Sequence, residues 1–319
     1  MTINGLHHVT AIAGEPRRNL DFYVGLLGLR LAKRTVNFDD PGTYHFYFGD
    51  SVGSPGTILT FFPWVGIRRG SRGTGEVTAT AYSIPAGSAN YWIERLKEHH
   101  VSAERVGQRF GEEVIRFADP DGMQIELVET AALSAARRWV DNPVPAEYGI
   151  LGFHGVTPTL DSTERTEALL TEVMGYRKVG VEGDRTRYVT GGDALDGRFV
   201  DLVFSPEGRY GSQGSGTVHH IAFRAADDAE QLAWREQLVK LGFGVSPVRD
   251  RTYFNSIYFR EPGGVLFEIA TDGPGFTLDE TEAELGTGLK LPEWLEGQRG
   301  KLEKILPRIT LPHGEAKSA

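Results

Sequence analysis

The sequence predicts an α+β protein of four βαβββ modules that form two half-barrel cups. Three observations carry this. First, the chain repeats itself. Gly5-Leu6-His7-His8-Val9-Thr10 resembles Gly152-Phe153-His154-Gly155-Val156-Thr157, and the run from Phe117 to Glu126 resembles the run from Phe259 to Glu268. Both matches have nearly the same offset, which marks a duplicated half. Second, each half contains two rounds of a strand-like run, an amphipathic helix and strands split by glycine-rich turns. Third, two histidine doublets, His7-His8 and His219-His220, sit inside apolar strand-like runs in the first and last quarters.

The elements follow in order. In the first module Leu20, Tyr23 and Leu27 mark a helical face, and Gly28 suits its end. In the second, Ser88 is placed to cap a helix through Trp92 and Leu96. In the third, Asp161 or Ser162 precedes Leu169, Leu170 and Val173, and Gly175 ends the helix. In the fourth, Asp227 with Glu230 three residues later reads as a capping-box start to a helix ending at Gly242. Runs such as Tyr44-His45-Phe46-Tyr47-Phe48 and Ser256-Ile257-Tyr258-Phe259 read as strands. A linker over Arg137 to Glu147 divides the chain into an N-terminal domain, 1–140, and a C-terminal domain, 148–319, of two modules each. Asp279 to Leu306 has helical spacing broken at Pro292 and reads as a covering helix or an assembly element of a homo-oligomer. His313 to Ala319 reads as frayed.

Composition narrows the function. With 40% hydrophobic and 24% charged residues, the 319-residue chain is that of a globular protein. A net charge of -9 argues against a nucleic-acid surface. Cysteine is absent, which removes disulfides, thiolate catalysis and iron–sulfur clusters and leaves His, Asp and Glu as metal ligands. No run approaches the length of a membrane helix, and the start lacks a signal-peptide pattern, so a cytoplasmic location without membrane contact is expected.

In a strand, neighbouring side chains point to opposite faces, so the two imidazoles of a doublet cannot both reach one point. One can bind a metal while its neighbour serves another role. Glu268 lies in a later apolar strand, and two histidines with one carboxylate are the ligands of an open non-haem iron site.

Four such modules, with His on the first strand and Glu on the last, resemble the vicinal oxygen chelate superfamily of glyoxalase I, extradiol dioxygenases and small antibiotic-resistance proteins. Leu6-His7-His8-Val9-Thr10, Asp40-Pro41-Gly42-Thr43-Tyr44-His45 and Gly53-Ser54-Pro55-Gly56-Thr57 are similar to the branch that cleaves hydroquinone rings. The resemblance covers nearly the whole chain. It implies metal ligands at His8, His220 and Glu268, and catalytic roles for His7, Thr10, His219, Arg251 and Tyr258, with Arg249 and Arg260 close to the arginine position.

The repeats permit an independent test. Each module has one ligand position on its first strand and one on its last. These are His8 and Thr60, Ala79 and Glu126, Gly155 and Asp201, and His220 and Glu268. Only pairing the first module with the last supplies two histidines and a carboxylate. The metal cup is therefore expected to join the two ends of the chain, leaving a vestigial cup in the middle. A separation of His8 from Glu268 beyond about 10 Å contradicts this.

Three protein ligands rather than four leave room for a hydroxylated ring and dioxygen, and the resemblance implies ring cleavage of a small hydroquinone-type aromatic. Fe(II) is the expected metal and Mn(II) the alternative. The rival readings are a metal-dependent glyoxalase-like isomerase or thiol transferase, and a metal-free protein that sequesters an aromatic compound. His7 and His219 act as acid or base, or are hydrogen-bonded core histidines. Tyr258 serves the ring or caps a core edge. Arg251 stabilises an oxyanion or makes a surface ion pair. Thr10 shares the strand face of His8, whereas His45, His99, His100 and His154 have no repeat partner in a ligand position.

Overall fold

The computed structural model describes residues 1–131, 134 and 137–311, so the fraying expected from His313 lies outside the described residues. The first module is β1 (Leu6–Ala13), α1 (Pro16–Leu20), β2 (Arg30–Asn37), β3 (Asp40–Gly49) and β4 (Ile58–Pro63). The second is β5 (Glu76–Pro85), α2 (Ala89–Glu98), β6 (Ala103–Arg109), β7 (Glu112–Ala118) and β8 (Gln124–Thr130). The third is β9 (Gly152–Leu160), α3 (Glu164–Ala168), β10 (Tyr176–Glu182), β11 (Arg185–Thr190) and β12 (Phe199–Phe204). The fourth is β13 (Thr217–Ala225), α4 (Asp228–Lys240), β14 (Arg249–Asp250), β15 (Phe254–Arg260) and β16 (Leu266–Pro274). All four βαβββ modules are present.

The helix signals act as read except in α2, where Ser88 holds the N-cap position without a side-chain capping bond, and in α3. Helix α1 continues as a π-helical stretch over Asp21–Leu26, burying Leu20, Tyr23 and Leu27, and Gly28 turns the chain at φ 73°. Asp227 accepts a hydrogen bond from the Glu230 N–H at 2.9 Å, while the Glu230 carboxylate reaches back to the Ala226 N–H at 2.7 Å. Helix α3 starts later than the sequence suggests: its N-cap is Thr163, and the Ser162 hydroxyl bonds the Glu164 side chain instead of capping.

Two curled sheets of eight strands make the two cups. One runs β14-β15-β16-β13-β1-β4-β3-β2 and joins the last module to the first. The other runs β10-β11-β12-β9-β5-β8-β7-β6 and joins the third to the second. Each sheet thus takes one module from 1–140 and one from 148–319. The seams are the antiparallel pairs β1–β13 and β5–β9. The helices cover the outer faces, with Trp92 of α2 and Trp234 of α4 fully buried beneath them.

The C-terminal segment differs from the helical reading of Asp279 to Leu306. Only α5 (Glu293–Glu296) and α6 (Arg299–Ile305) are α-helical there. Gly286 explains part of this: it sits at φ 79°, and a Cβ there would lie 1.8 Å from the Leu31 carbonyl oxygen. The segment instead lies along β2 and β3. Lys33 Nζ, fully buried, meets Asp279 at 2.5 Å and also Glu280. Lys290 N–H donates to the Arg34 carbonyl at 2.9 Å, and Tyr44 donates to the Pro307 carbonyl at 3.0 Å. No helix among the described residues is long and apolar enough to cross a membrane.

Candidate metal centre

The seam β1–β13 sets the site. Thr10 pairs with His220 and His8 with Ala222, while β16 places Glu268 beside Ala222. That register brings His8, His220 and Glu268 to one face of three adjacent strands. His8 Nε2 lies 3.3 Å from Glu268 Oε2, His220 Nε2 lies 2.9 Å from it, and the two Nε2 atoms are 3.4 Å apart. All three side chains are buried. This is the only cluster among the described residues whose donor atoms converge in a way that suits a metal. The expected joining of the chain ends is thus met well inside the 10 Å limit.

The electrostatics fit a cation. Ser256 Oγ holds Glu268 Oε1, while the fully buried Oε2 has no hydrogen-bond donor of good geometry and is free to face an ion. Burial pushes the Glu268 carboxyl up, but the facing His8 and His220 outweigh it and hold it well below the usual carboxylate range. Burial lowers the pKa of His220. A carboxylate and a neutral imidazole are the protonation states that bind metal.

The doublets show what each partner does. His7 Nδ1 lies 2.9 Å from His8 Nδ1, and His219 Nδ1 lies 2.7 Å from His220 Nδ1. Register shifts between Leu6 and His8 and between Thr10 and Ala11 allow neighbouring rings to meet despite strand alternation. Beyond that contact the two partners part. His219 lines the cavity in front of the centre. His7 lines a separate cavity of about 190 Å³, with Phe254 between it and the first.

The front cavity measures about 290 Å³ and is walled by Phe38, Phe62, Trp64, Phe254 and Leu266. Thr10, Arg251 and Tyr258 line it, as the sequence anticipates. The Tyr258 ring meets the His220 ring edge-on at 5.7 Å, and Arg251 Nε donates to the Tyr258 hydroxyl at 3.2 Å. Of the three nearby arginines, only Arg251 enters. Burial pushes the Tyr258 phenol up, so it is protonated at neutral pH, and burial takes the His219 imidazole down to about 3, so it is uncharged.

Sequence reasoning passed over His45 and Tyr47. Both line the cavity: Tyr47 OH lies 2.8 Å from His45 Nδ1, His45 Nε2 lies 2.9 Å from Thr60 Oγ1, and Thr60 donates to Thr10 at 2.9 Å. The repeat comparison ignored His45 because no other module has a counterpart. The period-two alternation of β3, which puts His45 and Tyr47 on one face and Tyr44, Phe46 and Phe48 on the other, carries the signal.

The second cup repeats the register without the ligands. Gly155 pairs with Ala81 as His8 pairs with Ala222, and Glu126 lies beside Ala81 as Glu268 lies beside Ala222. A Cβ at Gly155 would lie 2.3 Å from the Phe199 carbonyl oxygen, which leaves no room for histidine. Arginines occupy the space. Arg109 donates to both oxygens of Glu126 at 2.7 and 3.1 Å, and Arg187 does the same to Asp201 at 2.8 and 3.0 Å.

Comparisons with known proteins agree with this geometry. The model of the Glyoxalase/Bleomycin resistance protein/Dioxygenase superfamily matches residues 5–127 and 138–269. A Bacillus subtilis protein named as a candidate ring-cleaving dioxygenase, MhqO, is 50% identical over 304 residues, 95% of this chain and 96% of that one. The chlorohydroquinone/hydroquinone 1,2-dioxygenase of Sphingobium indicum is 36% identical over 313 residues, 95% of this chain and 96% of its own length. A crystal structure of a candidate dioxygenase from B. subtilis superposes with a TM-score of 0.93 at 48% identity, covering 97% of this chain and 98% of that one. From its fold, its converging donors and these matches, the chain belongs to the glyoxalase, bleomycin-resistance and dioxygenase superfamily.

Proposed function

We propose that this protein is a ring-cleaving dioxygenase that opens a hydroquinone-type ring with dioxygen at a single metal held by His8, His220 and Glu268. The observation that carries the proposal is the convergence of three buried donor atoms at the floor of an aromatic-walled cavity. The naming of relatives as ring-cleaving and hydroquinone dioxygenases supports the substrate class. Fe(II) is the proposed metal: His8, His220 and Glu268 would hold it, and it would supply the electron path between ring and dioxygen.

The chain's own residues orient, donate and exclude water. A ligand histidine that binds through Nε2 carries its proton on Nδ1. His8 and His220 therefore donate to the Nδ1 atoms of His7 and His219, which fixes both ligand rings. An uncharged His219 whose Nδ1 accepts has its proton on Nε2, so it offers the cavity a hydrogen-bond donor. The same logic runs along the wall, where Tyr47 donates to His45, His45 to Thr60 and Thr60 to Thr10. Tyr258 adds a phenol donor, and Arg251 adds a positive charge beside it. A cavity of donors around one cation suits a ring oxygen that has lost its proton. Phe38, Phe62, Trp64 and Phe254 supply apolar faces for the ring.

The test is anaerobic purification, metal analysis and oxygen uptake. The expected result is one iron per chain, with uptake on hydroquinone and none on catechol. Absence of both metal and uptake would falsify the proposal and leave a protein that sequesters an aromatic compound.

A further inference from the structure

One ion pair on the lining of the cavity has an acid that no sequence argument singles out. Asp39 Oδ2 lies 3.1 Å from Arg251 Nη1. It is the only ion pair among the described residues in which the first module reaches Arg251, the one charged side chain of the cavity wall that also bonds Tyr258. We propose that Asp39 is a positioning residue for the ring-cleavage reaction, and that the C-terminal segment holds it in place; this rests on the function proposed above.

The guanidinium is planar and rigid, so fixing one nitrogen fixes the direction of the others. Arg251 has Nε on the Tyr258 hydroxyl at 3.2 Å and Nη1 on Asp39. Without Asp39, the only partner of that fork inside the cavity is an uncharged phenol, and the long side chain regains its freedom. Asp39 is 75% exposed against 21% for Arg251, so the pair adds little to stability, and its consequence is orientation.

Asp39 is itself held from two sides. It occupies the turn between β2 and β3, where its N–H donates to Asn37 Oδ1 at 3.0 Å. The preceding Phe38 lines the cavity and meets the Trp294 ring of α5 edge-on at 5.6 Å. Trp294 is 55% exposed, so this is a bracing contact rather than core packing. The segment from Asp279 to Leu306 thereby acquires a role within its own chain. It runs along β2 and β3 and, through Trp294, meets the turn that orients Arg251.

The experiment compares the holoprotein with Asp39→Asn, Asp39→Glu and Trp294→Ala. It measures kcat per bound metal on methylhydroquinone, the Kd for the same compound under argon by calorimetry, and the thermal midpoint. The expected result is a fall in kcat of at least fivefold in Asp39→Asn, with Kd within threefold and an unchanged midpoint. Asp39→Glu should recover at least half of the lost kcat, because glutamate keeps the charge and the turn can adjust. Trp294→Ala should lower kcat in the same direction by a smaller factor. If Asp39→Asn keeps kcat within twofold, or loses it without recovery in Asp39→Glu, the inference is overturned. An active parent with such variants overturns this inference alone, whereas an inactive parent overturns the proposed function and this inference with it.

Discussion

At the scale of single residues, the doublets divide labour by nitrogen atom. In each pair one ring turns Nε2 to the centre and Nδ1 to its neighbour. Replacing Glu268 by Gln or His220 by Ala removes a converging donor, and metal analysis should then find less than a tenth of the parent's content. The outer histidines should separate under a finer measurement. His7→Asn should weaken metal affinity by roughly 10- to 100-fold through the loss of its hold on His8, yet leave turnover per bound metal near the parent value. His219→Asn should weaken affinity similarly and also lower turnover per bound metal by about 100-fold, because it takes the imidazole donor out of the cavity. Equal turnover per metal in the two variants contradicts this division. The converging donors His8, His220 and Glu268 were legible in the sequence because they occupy matching places in a repeat. The fate of the outer histidines was not legible: both doublets carry a register shift, yet His219 opens on the front cavity and His7 on the rear one.

At the scale of elements, the two cups share a register and differ in what fills it. In the second cup, paired arginines and carboxylates stand where the first has its converging donors. Removing one partner of a buried pair leaves its charge uncompensated. Arg109→Met should therefore destabilise the fold by roughly 3 kcal/mol, at the low end for a buried pair because Arg116 still reaches Glu126. Metal content should not change, since that cup holds no ligand set. Denaturant titration with metal analysis checks both halves of the statement. Here the sequence located the vestigial cup from Ala79 and Gly155 but not its contents, because Arg109, Arg185 and Arg187 come from strands outside the ligand positions compared. The C-terminal segment was misread for a related reason. Helical spacing was visible, but the docking of Lys33 with Asp279 and the close approach of Gly286 to Leu31 are contacts made at long range.

At the scale of the whole molecule, one buried acid gives a pH signature. Glu76 begins β5 and accepts from the Gly73 N–H at 2.8 Å, and burial raises its carboxyl to about 7. A carboxyl with a raised folded-state pKa favours the folded state fully below its unfolded value, and that contribution is lost as pH rises to about 7. Glu76→Gln keeps the accepting oxygen without the charge. Relative to the parent, it should gain roughly 1–2 kcal/mol of stability between pH 5 and pH 8, an amount reduced from the full shift by solvent screening. A parent and variant whose stability curves run parallel across that interval would contradict the assignment. The largest feature of the molecule, the meeting of its two ends, was nonetheless readable from the sequence, because only one pairing of modules gathers two histidines and a carboxylate.

The position of bound iron tests whether that meeting builds a metal site. Crystals of the protein reconstituted anaerobically with Fe(II) give an anomalous difference map at the iron edge. The account predicts a single peak bonded at about 2 Å to His8 Nε2, His220 Nε2 and a Glu268 carboxylate oxygen, with nothing beside Glu126 or Asp201. A peak in the second cup, or iron bound without His8 or without His220, would contradict it.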